Sequence, residues 1–264
     1  MLLCSVRDCH MPLERAEQRL FCERGHSFDV ASSGYINLLQ PQDRRSKHPG
    51  DTAEALAARR RLHDLGVTKP LLNAIAEMLA ARENDIVLDA GCGDGFYLGN
   101  LARQAGFNAH GVDISTRAVD AAARRYPPSE GKREWVVVNA DRFLPYTGGS
   151  FSIVLSITAR MNAGEFRRVL RDGGNLLVAI PAPEDLMELR SRVGAAGRDR
   201  VARTVETFAH GFTLVDQRRV TTTAELDASA VRDVLLSIYR PMRAQPAEAM
   251  RVTFSLDVLL FRAV

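Results

Sequence analysis

The stretch Asp85-Ile86-Val87-Leu88-Asp89-Ala90-Gly91-Cys92-Gly93-Asp94-Gly95 decides how the rest of the chain is read. Its first half is a short apolar run closed by glycine, the pattern of a strand buried on both faces of a parallel sheet. Its second half sets glycine at every other position, where the backbone can turn tightly and approach a ligand that a Cβ would hold off. The run Phe-Tyr-Leu-Gly-Asn-Leu-Ala-Arg-Gln-Ala-Gly (96–106) then reads as a helix whose first N–H groups face that turn. Taken alone, a glycine-rich turn between strand and helix also fits a purely structural role.

Downstream the pattern alternates. Strands are predicted at 109–115, 134–140, 151–157 and 174–181, and helices at 116–126 and 164–170. Such an order predicts a doubly wound, mostly parallel sheet. Two acids fall at predicted strand ends, on the edge where open α/β sheets bind ligands. Asp113 ends the second strand, suited to two ribose hydroxyls, and Asp141 follows the third, suited to an adenine amino group. The loop is Gly-Cys-Gly-Asp-Gly and not Gly-x-Gly-x-x-Gly. Asp94 would repel a pyrophosphate but suits a ligand with an ammonium and a sulfonium. The expected cofactor contacts are Asp89, Gly91, Gly93, Gly95, Asp113 and Asp141, with Tyr97 and Leu98 at the head of the helix. The terminal run 252–264 alternates as a strand added at the far side of the sheet.

Upstream, residues 1–40 lack helical periodicity but hold three of the four cysteines. Cys4-x4-Cys9 and Cys22-x3-His26 form two ligand pairs separated by 12 residues. Paired turns of thiolate and imidazole are how a structural zinc site is supplied, and about 40 residues bury too little surface to fold without such help. His10, beside Cys9, is a competing ligand only on paper, since adjacent residues rarely share a metal. We therefore expect a zinc-binding module over 1–40, a basic linker over 41–52 and a catalytic domain over 53–264. Thr52 is the expected N-cap of the first helix and Gly66 its stop.

The 264 residues are 46% hydrophobic and 25% charged, an ordinary globular composition, with a formal charge of only +3. No apolar run approaches the ~20 residues of a membrane span, and the start has no signal-peptide pattern, so a cytoplasmic protein is expected. Positive charge is local: Arg44, Arg45, Lys47, Arg59 and Arg60 are expected to meet RNA phosphates, with a second run at Arg190, Arg192, Arg198, Arg200 and Arg203.

The series Asp-Ala-Gly-Cys-Gly-Asp-Gly, Gly-Val-Asp-Ile-Ser and Asn-Ala-Asp-Arg-Phe-Leu-Pro over 85–181 resembles class I S-adenosylmethionine methyltransferases. That resemblance implies a seven-stranded sheet whose last strand is antiparallel. More specific are Cys9-His10-Met11-Pro12-Leu13, Cys22-x3-His26-Ser27-Phe28-Asp29 and Gly34-Tyr35-Ile36-Asn37-Leu38-Leu39. With Pro49-Gly50-Asp51-Thr52 and the arginines at 59 and 60, they resemble the 23S rRNA (guanine-N1)-methyltransferases of the RlmA type, a group that includes enzymes giving resistance to tylosin-like macrolides. The resemblance implies structural Zn2+, S-adenosylmethionine, an rRNA hairpin as partner and a homodimer.

The chain departs from that family at the expected pocket. Thr158-Ala159-Arg160 stands where a Tyr-x-Pro-like segment is usual, and Tyr239-Arg240-Pro241-Met242 where a Thr-Pro-Phe motif is. Asp185 aligns with a cofactor-linked histidine and Thr68 with an aromatic, both kept as cofactor contacts; the first cysteine spacing is longer by two. Guanine N1 must lose a proton, and Asp185 and then Asp141 are the carboxylates available for it. The altered segments leave a small-molecule acceptor, or another RNA position, as the alternative substrate, and a non-catalytic RNA-binding protein as a third reading.

Overall fold

A computed structural model describes residues 1–43, 49–130, 132–238 and 246–264. Arg44, Arg45 and Lys47, and the segment Tyr239–Met242, lie outside the described residues.

The main sheet is built from β5 (Ile86–Ala90), β6 (Asn108–Asp113), β7 (Arg133–Val137), β8 (Phe151–Ile157), β9 (Leu170–Pro181), β10 (Phe212–Leu226) and β11 (Met250–Ala263). Its order is β10-β11-β9-β8-β5-β6-β7, parallel except that β11 runs antiparallel to both β9 and β10. The central strands are apolar without alternation: β8 is buried at all seven positions. Helices on both faces require this. α3 (Phe96–Ala105) and α4 (Thr116–Arg125) are among them, and with α2 (Lys69–Leu79) they enclose a core holding Ile75, Leu98, Trp135 and Leu155. The fold is that of a class I methyltransferase.

Before α2 comes α1 (Ala53–Asp64), where Thr52 Oγ1 accepts from the Ala55 N–H at 3.2 Å as an N-cap. α1 packs on α8 (Ala228–Ser237), burying Leu62 with Val231, Val234 and Leu235. The short helices α5 (Ala163–Val169), α6 (Met187–Ser191) and α7 (Val201–Phe208) complete the chain. No helix among the described residues is long and apolar enough to cross a membrane.

The first residues form a three-stranded antiparallel ribbon, β1 (Glu14–Ala16), β2 (Arg19–Phe21) and β3 (Ser27–Asp29). Each strand is too short to bury much, and only Leu20 and Phe28 point inward from β2 and β3. The ribbon is joined to the main sheet at two places. β4 (Ile36–Asn37) pairs in parallel with β7 and becomes an eighth strand. Leu2 bridges to Tyr146, and the Leu3 N–H donates to the Pro145 carbonyl at 2.9 Å. One continuous core therefore runs from Cys4, Leu20 and Phe28 through Ile36 and Leu38 to Val136 and Phe151.

Candidate metal and cofactor sites

Cys4, Cys9, Cys22 and His26 bring one ligand atom each to a cluster whose members all lie within 4.8 Å of one another. Cys9 Sγ is 3.8 Å from Cys22 Sγ, and His26 Nδ1 is 3.4 Å from both Cys4 Sγ and Cys22 Sγ. Tetrahedral zinc with ordinary bond lengths sets edges of about 3.8 Å between sulfurs and about 3.5 Å between sulfur and nitrogen. The donor set and its geometry fit that ion, and zinc is the structural metal here.

Two turns present the ligands. The Cys22 N–H donates to the His26 carbonyl (3.0 Å), with Gly25 at φ +81° in the left-handed region. In the first turn the Cys9 N–H donates to the Val6 carbonyl (3.1 Å), with left-handed Asp8 (φ +61°) before Cys9 and left-handed His10 (φ +47°) after it. His10 thereby points away from the metal and stacks on Phe143, with ring centroids 4.2 Å apart.

The second site lies at the carboxyl ends of β5, β6 and β7. Gly91, Gly93 and Gly95 all have positive φ. A Cβ on Gly95 would sit 2.7 Å from the Trp135 ring, and one on Gly91 would strike the Ala159 side chain. Asp113 joins the two sides of this crevice. Its Oδ2 accepts the Gly93 N–H at 3.0 Å, and its Oδ1 accepts the Ser115 N–H at 2.8 Å at the head of α4. Burial raises its pKa, and the two N–H donors oppose that.

Asp89, at the end of β5, is 2% exposed, and its Oδ1 has no hydrogen-bond partner among the described residues. Burial, and then the charge of Asp113, push its pKa up to about 8. A buried acceptor left over beside Asp113 fits a ligand with both hydroxyls and an ammonium, as S-adenosylmethionine has. Asp94 is already paired: Oδ2 with Arg60, Oδ1 with the Phe96 N–H at 3.3 Å. Tyr97 is half-buried against His63 and Phe96, while Leu98 is wholly in the core.

The end of the linker and the start of α1 close over the crevice. Gly50 lies so near Ser115 that a Cβ would collide with it. Asp51 pairs with Arg59 at 2.7 Å. Arg59 and Arg60, expected at RNA phosphates, thus face inward in this structure, toward Asp51 and Asp94. From sequence alone, Gly50 and Asp51 belong only to the family motif, with no contact assigned, and His63 carries no role. His63 stacks face to face on Phe96 at 3.8 Å and meets Thr68 Oγ1 at 2.8 Å through Nδ1. Burial, then the charges of Arg59 and Arg60, push it down to about 3, so it is neutral. The i, i+4 spacing of Arg59 and His63 on α1 was the available signal, masked by a run that reads as three surface arginines.

Asp141 is exposed, 3.3 Å from Arg160, and Asn162 Nδ2 donates to its carbonyl at 3.0 Å. It therefore sits beside the loop whose Ala159 packs on Gly91. Asp185, which follows β9, accepts the Ser255 N–H at 3.1 Å and pairs with Arg190 at 3.5 Å. Burial pushes it up to about 6.

Residues 87–174 match the family described as methyltransferase domain, and residues 3–47 match RlmA, N-terminal. A 23S rRNA (guanine(748)-N(1))-methyltransferase of Streptomyces fradiae is 36% identical over 235 residues, spanning 86% of this chain and 81% of that protein. A Micromonospora griseorubida protein, provisionally named for the same 23S rRNA guanine-N1 chemistry, is 34% identical over 80% of this chain and 76% of its own length. Among solved structures, MccD protein superposes with a TM-score of 0.52 at 16% identity, over 73% of this chain and 96% of that one. That last likeness concerns the fold alone.

Proposed function

Because the chain belongs to the 23S rRNA (guanine-N1)-methyltransferase family, we propose that its substrate is a hairpin of 23S rRNA and its product a guanine methylated at N1. S-adenosylmethionine supplies an electrophilic methyl group on a sulfonium. The chain's own part is alignment and exclusion of water, which is most of what an in-line displacement asks of a protein.

The observation that carries this reading is the join between the zinc ribbon and the cofactor domain. His10 on the first zinc turn stacks on Phe143, two residues after Asp141, so the ribbon abuts a loop bordering the crevice. A concavity of about 290 Å3 lies along that join, lined by Arg7, His10, Asn139, Arg142 and Phe143 among others. An RNA strand gripped by the ribbon passes over this surface to reach Gly91 and Ala159. Arg7 and the exposed Arg198, Arg200 and Arg203 supply phosphate contacts. Of the two carboxylates considered for removing the N1 proton, Asp141 is the better placed, because it is exposed beside the loop that packs on Gly91, whereas Asp185 is half-buried against Ser255 and Arg190. An rRNA substrate places the enzyme in the cytoplasm.

Nucleoside mass spectrometry of 23S rRNA tests the substrate directly. Deproteinised rRNA from a strain lacking the gene, incubated with enzyme and S-adenosylmethionine, should gain close to one N1-methylguanosine per molecule. No new methylated nucleoside, or one at another atom, sinks the assignment.

Cofactor affinity should also depend on pH. Asp89 holds a proton below about pH 8 in the free protein, and meeting an ammonium requires its loss. Binding therefore releases that proton, and log affinity rises by roughly one per pH unit between pH 6 and 8, then levels off. Titration calorimetry at several pH values checks this, and Asp89→Asn should flatten the slope.

A further inference from the structure

Three consecutive arginines on α1 have different fates. Arg61 is bidentate on Asp233 of α8, at 2.7 and 2.6 Å. Arg59 spends one nitrogen on Asp51 and another on the Ser237 carbonyl at 3.4 Å. Arg60 donates through Nη2 to Asp94 in the glycine loop, but its Nη1 is buried without a hydrogen-bond partner among the described residues. Asp89 Oδ1, in the same crevice, is the mirror case: a buried acceptor with no donor. Tyr97 lies between them: burial first, and then the charges of Asp89 and of Asp94, the partner of Arg60, hold its hydroxyl above the usual phenol range, against the charge of Arg59.

An unspent N–H on a buried cation and an unspent lone pair on a buried carboxylate are each costly. One ligand group satisfies both: an α-amino acid, with carboxylate and ammonium on the same carbon. The planar guanidinium suits a carboxylate, and holding Asp94 with one nitrogen fixes the direction of the other. Asp94 in turn caps the first turn of α3 through the Phe96 N–H. Arg60 is thus braced by the very loop on which the cofactor lies.

We propose that Arg60 is the carboxylate anchor for the amino-acid end of the cofactor, donating through Nη1 while Asp89 takes the ammonium. This rests on the S-adenosylmethionine assignment above and adds a binding residue from α1, outside the glycine loop. The positive charge at position 60 then serves the small ligand and not RNA phosphate.

The test compares two ligands by titration calorimetry, without turnover. S-Adenosylhomocysteine carries the amino-acid end; 5′-methylthioadenosine has the same adenosine and thioether and lacks it. Wild type should prefer S-adenosylhomocysteine by more than about tenfold. Arg60→Gln should lose about tenfold or more for S-adenosylhomocysteine while 5′-methylthioadenosine changes by less than about twofold, so the preference collapses. Arg60→Lys, which keeps the charge, should recover part of the preference and guards against a glutamine variant that does not fold. Asp94→Asn removes the charge but keeps an amide oxygen that can accept from Arg60 Nη2, and should keep most of the preference. Equal weakening of both ligands in Arg60→Gln and Arg60→Lys would overturn the anchor while leaving the cofactor assignment intact. Failure of wild type to bind either ligand would overturn the cofactor assignment, and the anchor with it.

Discussion

Stripping the zinc should lower the melting temperature of the whole chain by roughly 10 °C or more, and not merely loosen its first 40 residues. The ribbon's three strands are three residues each and bury little besides Leu20 and Phe28. Most of its order must come from Cys4, Cys9, Cys22 and His26 converging on one ion. Structural zinc contributes on the order of 10 kcal/mol to such modules. What makes the effect global is the join. Leu2 and Leu3 are bonded to Tyr146 and Pro145, and β4 closes the β7 edge of the main sheet. Losing the ribbon uncovers Val136, Tyr146 and Phe151, which now share one core with the metal ligands. Calorimetry before and after treatment with a strong chelator, with metal content measured in parallel, reads this out. Cys9→Ala should reproduce the shift, and the chelator should do little more to that variant. A melting temperature unchanged after one equivalent of zinc has been removed would mean the ribbon is held by packing alone.

The parts of this molecule visible in the sequence are those fixed by short-range spacing. Cys22-x3-His26 places two ligands across one turn whatever the rest of the chain does, and the four-ligand cluster is present as expected. Gly91, Gly93 and Gly95 all sit at positive φ, and Ala159 and Trp135 crowd the first and the third, so the glycine pattern itself carries the geometry. β8 was legible to the residue because a strand buried on both faces leaves an unbroken apolar run. What escaped depends on which distant segment docks where. Ile36–Asn37 is too short to announce a strand, and it is one only because β7 offers an edge. Arg59 and Arg60 look like any solvated basic run, since nothing local says that Asp51 and Asp94 lie within reach. Asp185 aligned with a cofactor contact, yet its nearest partners are Ser255 of β11 and Arg190. Sequence spacing identified the site's floor, the β-strand ends, and not its roof, which α1 supplies.

Asp113→Asn should weaken S-adenosylhomocysteine binding by about a hundredfold or more while lowering the melting temperature by only a few degrees. The carboxylate already accepts N–H donors from both sides of the crevice, Gly93 at 3.0 Å and Ser115 at 2.8 Å. Each oxygen has one further lone pair, and those two are what a ribose diol can use. An asparagine keeps one acceptor oxygen and turns an N–H2 toward a backbone N–H. One side of the crevice then loses its staple, and both ribose hydroxyls lose their charged acceptor. Hydrogen bonds to charged groups contribute about 1.5–3 kcal/mol each, so two such losses multiply to the stated factor. The removed charge is the second cause, after burial, of the raised pKa of Asp89. In Asp113→Asn the residual binding should therefore level off at a lower pH than in wild type. Asp141→Asn is the contrast, since that side chain is exposed and pairs only with Arg160 among the described residues. It should change affinity by less than about threefold, because exposed ion pairs contribute little. Affinity in Asp113→Asn within about threefold of wild type, with the fold intact, would show that the ribose is held elsewhere and that Asp113 serves only to fasten the two loops.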